Sequence, residues 1–166
     1  VHASSAGEII EGLQDDNQAL HSTLLAGLLC NDTHFEHKDG KEQVVGDPTE
    51  AALLVSAAKG GLETLAETNR FPRLDTLPFE SEHQYMATLH DQGDASPRLA
   101  FFKGSAEAVL QRASYELRAD GSVTLVDYNL IRAEVERLGR TGMRVLAMAC
   151  KELPAGNSEL THEAVA

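Results

Sequence analysis

The chain has 166 residues, 42% of them apolar, which is enough for a packed core and argues against disorder. Its formal charge of −12 excludes the basic footprint that nucleic acid or an anionic membrane surface would require. An anionic ligand must therefore be met by locally placed cations, and without tryptophan any flat platform for a base must be Phe, Tyr or His.

The opening "VHASSAGEIIEG" has no basic region followed by a long apolar run, so no signal peptide is expected. Asn17 reads as the cap of a first helix carrying Leu20, Leu24, Leu25 and Leu28, with a stop near Asn31. Its apolar stretch, Leu24 to Cys30, is too short to span a bilayer, which takes about 20 residues. Residues 33–46 are polar around Asp39-Gly40 and predict a turn or short hairpin. "GDPTEAALLVSAAKGG" is the clearest helix. Asp47 suits the N-cap, Pro48 the first position and Glu50 the capping-box place, and Gly60-Gly61 supplies the stop.

From Arg70 the period changes. "RFPRLDTLPF", with two prolines, predicts an irregular or edge strand. Tyr85 to His90 and Leu99 to Lys103 predict an antiparallel hairpin around "DQGDASP". Ser105 caps a helix with Ala106, Val109, Leu110 and Ala113 on its apolar side. The Asp120-Gly121 turn precedes "VTLV", and Asp127 caps a helix bearing Ile131, Val135 and Leu138 that ends at Gly142. "MRVLAMACK" predicts a strand with Arg144, Leu146 and Met148 on one face, and "PAGNSELTHEAVA" a loose exit. Together these elements predict an α+β fold, a mainly antiparallel β-sheet flanked by helices, as a single domain over residues 1–166.

Most familiar chemistry is missing. There is no Gly-x-x-x-x-Gly-Lys-Ser/Thr loop, no Gly-x-Gly-x-x-Gly after a strand and no Gly-x-Ser-x-Gly elbow. Cys30 and Cys150 read as two free buried thiols in a reducing compartment, with one disulfide as the alternative. His34 and His37 have a ligand-like spacing but no framework to complete a site, so no metal ligands are expected and the histidines read as surface residues. "RLAFFKGSAEAVLQR" is more informative. Lys103 shares a strand face with Leu99 and Phe101, and Gly104 leads straight into a helix N-terminus. Either the lysine frays at a strand end or it serves a phosphate-bearing ligand.

Four segments in order, "VVGDPTEAALL", "LPFESEHQYM", "FFKGSAE" and "GMRVLAMA", resemble the cytoplasmic nucleotide-binding domain of P-type cation-transporting ATPases, in the branch of the calcium, sodium–potassium and magnesium pumps. The resemblance covers nearly the whole chain. It implies that Phe79 stacks on adenine, that Glu50 meets the adenine amino group, and that Lys103 with Gly104 forms the pocket floor. It also implies that Arg144 reaches the phosphates and Leu146 packs near the base or ribose. The residue-level alternatives are an ordinary core position for Phe79 and a purely capping role for Glu50. Two departures stand out. Gln84 occupies a place where many relatives carry lysine, which makes it a possible ligand residue without charge, and Lys-Gly-Ser-Ala-Glu replaces Lys-Gly-Ala-Pro-Glu.

By the same resemblance the ligand is ATP, with Mg2+ bound to the nucleotide and held by residues outside this chain. The γ-phosphate would be presented to an aspartate on a separate phosphorylation domain, and an actuator domain would be a further partner. The piece would be monomeric, not itself inserted in the membrane, and on the cytoplasmic side of a larger pump. It would bind ATP without hydrolysing it. A regulatory or structural domain of the same fold, with little nucleotide binding, is the alternative.

Overall fold

The computed structural model describes residues 17–38, 41–93 and 96–165. Helix α1 (Gln18–Leu29) begins where the Asn17 side chain accepts the Leu20 N–H, and it ends at Cys30. Strands β1 (His34–Lys38) and β2 (Lys41–Val45) pair antiparallel, as the polar stretch predicts, while Asp39-Gly40 lies outside the described residues. Helix α2 (Pro48–Lys59) is capped by Asp47, which accepts from the N–H groups of Thr49 and Glu50. Helix α3 (Thr64–Arg70) leads into β3 (Arg73–Glu80).

The main sheet has the order β3, then β4 (Tyr85–His90), β5 (Arg98–Gly104) and β8 (Ala147–Leu153), antiparallel throughout. Pro78 lies in β3, an edge strand with an irregular register, where a missing N–H breaks the fewest ladder bonds. Between β5 and β8 run α4 (Ala106–Leu110), a two-stranded ribbon of β6 (Tyr115–Leu117) and β7 (Val123–Leu125), and α5 (Tyr128–Arg140). The fold is α+β with an antiparallel sheet, as expected.

Strand alternation divides the core in two. Met86 and Phe101 pack with Leu25, Leu29 and Leu54 of α1 and α2 on one face. On the other face Tyr85, Ala87, Leu89, Ala100 and Phe102 meet Leu160 and Val165 from the chain's last residues. The segment expected to be a loose exit is therefore a lid on the sheet, and the Leu160 N–H donates to Asp75 Oδ2 at 2.6 Å. The free thiols are as expected, but only Cys30 is buried and Cys150 is exposed. Burial pushes the Cys30 thiol up to about 11, so it is not a nucleophile at neutral pH.

His90 departs from the surface role expected of the histidines, being 1% exposed. Burial drives its pKa down from 6.5 to about 4, so the native ring is neutral. Its Nδ1 must then donate to the Phe71 carbonyl at 2.8 Å, and Nε2 accepts from Thr88 Oγ1 at 2.9 Å. Between these pH values the unfolded chain takes up a proton that the native state refuses, so acid favours unfolding. Between pH 7 and pH 5 the unfolding free energy from urea titrations should fall by about 2 kcal/mol through this group. His90→Gln should lack that slope.

Candidate functional site

One cavity of about 590 Å³, within the range of small-ligand sites, opens where α2, the β3–β4 turn, the end of β5 and the approach to β8 converge. All seven residues singled out from sequence line it: Glu50, Phe79, Gln84, Lys103, Gly104, Arg144 and Leu146. They come from four separate parts of the chain.

Phe79 stands on the edge strand with 58% of its surface exposed. Its ring is a wall of the cavity, and the core alternative is wrong. Lys103 is buried in the central strand β5, between Met86 on β4 and Met148 on β8 in the ladder register. It does not fray. Its Nζ donates to Glu50 Oε1 at 2.6 Å, an ion pair with both side chains largely buried.

Glu50 is not a capping-box residue. Its carboxylate turns away from the helix end, and Oε2 accepts from the Asp32 N–H and from Thr33 Oγ1, both at 3.1 Å. The reason is electrostatic: a buried ammonium needs a counter-charge, whereas the helix start is already capped by Asp47. With two donors on Oε2 and one on Oε1, Glu50 keeps an acceptor site on Oε1, and Lys103 keeps N–H groups beyond the one the pair uses.

Gly104 has a different reason from the one the sequence suggested. A Cβ there would lie 2.5 Å from the Gln84 carbonyl oxygen and 2.7 Å from Tyr85 Cβ. The close approach is made by β4, its ladder partner. Gln84 sits in the left-handed region at φ 57°, which suits the end of a tight turn. Its carbonyl accepts the Ser105 N–H at 3.0 Å, and its side-chain Oε1 is 3.2 Å from the Ser105 hydroxyl. Ser105 caps α4 as expected, so Gln84 is tied to that cap.

Arg144 and Leu146 are not on a strand, because β8 begins only at Ala147. Ala147 pairs with Gly104, the last residue of β5, so earlier residues have no ladder partner there. Arg144 stands at the rim with Nη1 3.4 Å from Thr49 Oγ1. Nearby, the Glu50 and Thr49 N–H groups hold the Asp47 carboxyl below the usual range, and Arg144 adds to this. The floor is thus apolar with a buried lysine–glutamate pair, one wall is aromatic, and the rim carries a cation. Sequence reasoning missed Thr33 and Asp32, which hold the Glu50 carboxylate from a segment with no motif.

A family model described as P-type ATPase, cytoplasmic domain N, matches residues 19–165. The chain is 46% identical over 143 residues to a cation-transporting ATPase of Synechocystis sp., covering 86% of this chain and 16% of that protein. It is 31% identical over 154 residues to a calcium-transporting ATPase of Bacillus subtilis, covering 90% of this chain and 17% of the relative. It is 31% identical over 146 residues to calcium-transporting ATPase type 2C member 1 of Pongo abelii, covering 86% and 15%.

Proposed function

The chain belongs to the P-type ATPases, in their cytoplasmic domain N, and we propose that it holds ATP by the adenine end for a larger cation pump. The observation that carries this reading is the convergence of an exposed aromatic wall, a buried lysine–glutamate pair and a rim arginine on one cavity. A base inserted there stacks on Phe79, with Leu146 and Met86 supplying apolar contact. The adenine amino group donates to the acceptor site left on Glu50 Oε1. Lys103 and Arg144 supply the positive charge along the nucleotide, and Gln84 offers a hydrogen bond without charge.

The cavity fits a nucleotide in size and in its mixture of apolar and polar lining. We assign no residue of this chain to magnesium, whose charge would neutralise the phosphates to which it is bound. Within the pump, this chain's part in phosphoryl transfer is positioning: the base end is fixed here and the γ-phosphate projects toward an aspartate on another domain. The parent is then an ATP-driven cation transporter of a membrane, with this piece on the cytoplasmic side meeting phosphorylation and actuator domains. The chain itself binds ATP without turnover.

Amide-resolved titration with ATP, ADP and AMP tests the reading. Shifts should centre on Phe79, Lys103 and Arg144, and the three affinities should agree within about tenfold, or ~1.4 kcal/mol. Phe79→Ala should weaken all three alike, by about 1–3 kcal/mol. No shifts up to several millimolar would instead indicate a structural or regulatory domain. A thousandfold preference for ATP over AMP would point to a phosphate cradle that the assigned residues do not provide.

A further inference from the structure

The β3–β4 turn has two sides. Phe79 and Gln84 face the cavity, while Glu80 and His83 do not line it. Glu80 pairs in register with Tyr85, whose side chain belongs to the opposite face of the sheet, under the segment that carries His162. There Glu80, His83 and His162 each point one ligand-type atom into a common space, all within 4.8 Å of one another. Among the described residues this is the only such group of three.

We propose that Glu80, His83 and His162 form a binding site for a zinc-class divalent cation. The proposal does not depend on the nucleotide reading. A tetrahedral zinc with ligands at 2.0–2.1 Å requires neighbouring ligand atoms about 3.4 Å apart. Glu80 Oε2 is 3.4 Å from His83 Nε2 and 3.9 Å from His162 Nε2, and the two imidazole rings lie 4.0 Å apart between centroids at 38°, so side-chain rotations that splay the rings would close the set around one ion. Two imidazoles and one carboxylate favour zinc or cobalt over magnesium or calcium, and three protein ligands leave a fourth place for water.

The surroundings hold the ligands in place. Tyr85 Oη lies 2.6 Å from His162 Nδ1, which orients the ring with Nε2 toward Glu80. With a metal on Nε2, the proton sits on Nδ1 and is donated to Tyr85 Oη, the outer-shell arrangement typical of metal-binding histidines. The Glu80 carbonyl accepts the His83 and Gln84 N–H groups, closing the turn that carries His83. All three ligands are at least partly open to solvent, so an ion has a path in. Bound metal would fasten the terminal lid to the turn.

The test is calorimetric titration of the 166-residue chain with Zn2+, together with the visible spectrum of the Co2+ form. One ion per chain should bind, and the Co2+ spectrum should show a four-coordinate nitrogen–oxygen site without sulfur charge transfer. His83→Ala and His162→Ala should each weaken Zn2+ binding tenfold or more, and Tyr85→Phe by about tenfold. The double variant His34→Ala/His37→Ala should bind as the parent does. Zinc at a hundred times its dissociation constant should raise the melting temperature by ~5 °C or more. His83 is half-buried, and His83→Ala without metal should melt close to the parent. His162→Ala also removes the partner of Tyr85 Oη, so its titration is run at a temperature where circular dichroism shows the variant folded. Absence of binding overturns the site, as does binding that survives loss of both His83 and His162 or that vanishes with His34 and His37.

Discussion

Lys103→Met is expected to lower the unfolding free energy by about 3 kcal/mol. Breaking a buried ion pair typically costs about 3–5 kcal/mol because the partner is left buried without its counter-charge. The partner here is Glu50, whose side chain is 17% exposed and whose Oε1 loses its donor at 2.6 Å. The lower end of the range applies because Oε2 keeps its bonds from Asp32 and Thr33. Urea unfolding at neutral pH measures the loss, and Lys103→Met/Glu50→Gln should recover part of it, since no charge then remains to be compensated. A loss below about 1 kcal/mol would mean that the pair is solvated like a surface bridge.

Gly104→Val is expected to be as damaging by another route, at about 3 kcal/mol or more. Overpacking a core commonly costs about 1–3 kcal/mol, and more where the opposing atoms cannot yield. Backbone atoms of Gln84 and Tyr85 stand within 2.9 Å of the new Cβ, and a branched side chain adds two further carbons. Because β4 and β8 flank Gly104 on both sides, the strand cannot shift away from one neighbour without pressing on the other. Gly104→Ala should fall between the parent and Gly104→Val in melting temperature. A valine variant as stable as the parent would show that β5 can slide, contrary to this packing.

The elements around the cavity are readable from local signals, but their gathering into one site is read from the family resemblance. Asp47-Pro48 marks a helix start and the alternation around Phe101 marks a strand, whereas the segments bearing Phe79, Lys103 and Arg144 are each weak alone and point to one site only jointly, through their resemblance to a known family. What could not be read is pairing across distance. The capping-box pattern at Glu50 is a local motif, and it lost to a lysine 53 positions away that only the folded sheet brings near. The alternation of "MRVLAMACK" runs longer than the strand does, since β5 ends at Gly104 and the ladder stops with it. Apart from alanines and a proline, Leu160 and Val165 are the apolar residues of the terminal segment, and nothing in its composition separates them from loop residues. For the same reason His162 carried no signal toward His83.

The placement of the cavity residues on the sheet has a kinetic consequence. Lys103 belongs to β5, which is hydrogen-bonded on both sides and buried on both faces, so its amides should be among the slowest to exchange with solvent. Phe79 rides on an edge strand at a bulged register, and Arg144 on a segment with no ladder at all. The cavity therefore has a stiff floor and a compliant rim. On the proposed nucleotide reading, the base would meet a lysine–glutamate pair already in position, and the adjustments on binding and release would fall to the aromatic wall and the arginine. Residence time is then governed at the rim, and substitutions near Phe79 or Arg144 should act on departure far more than on arrival.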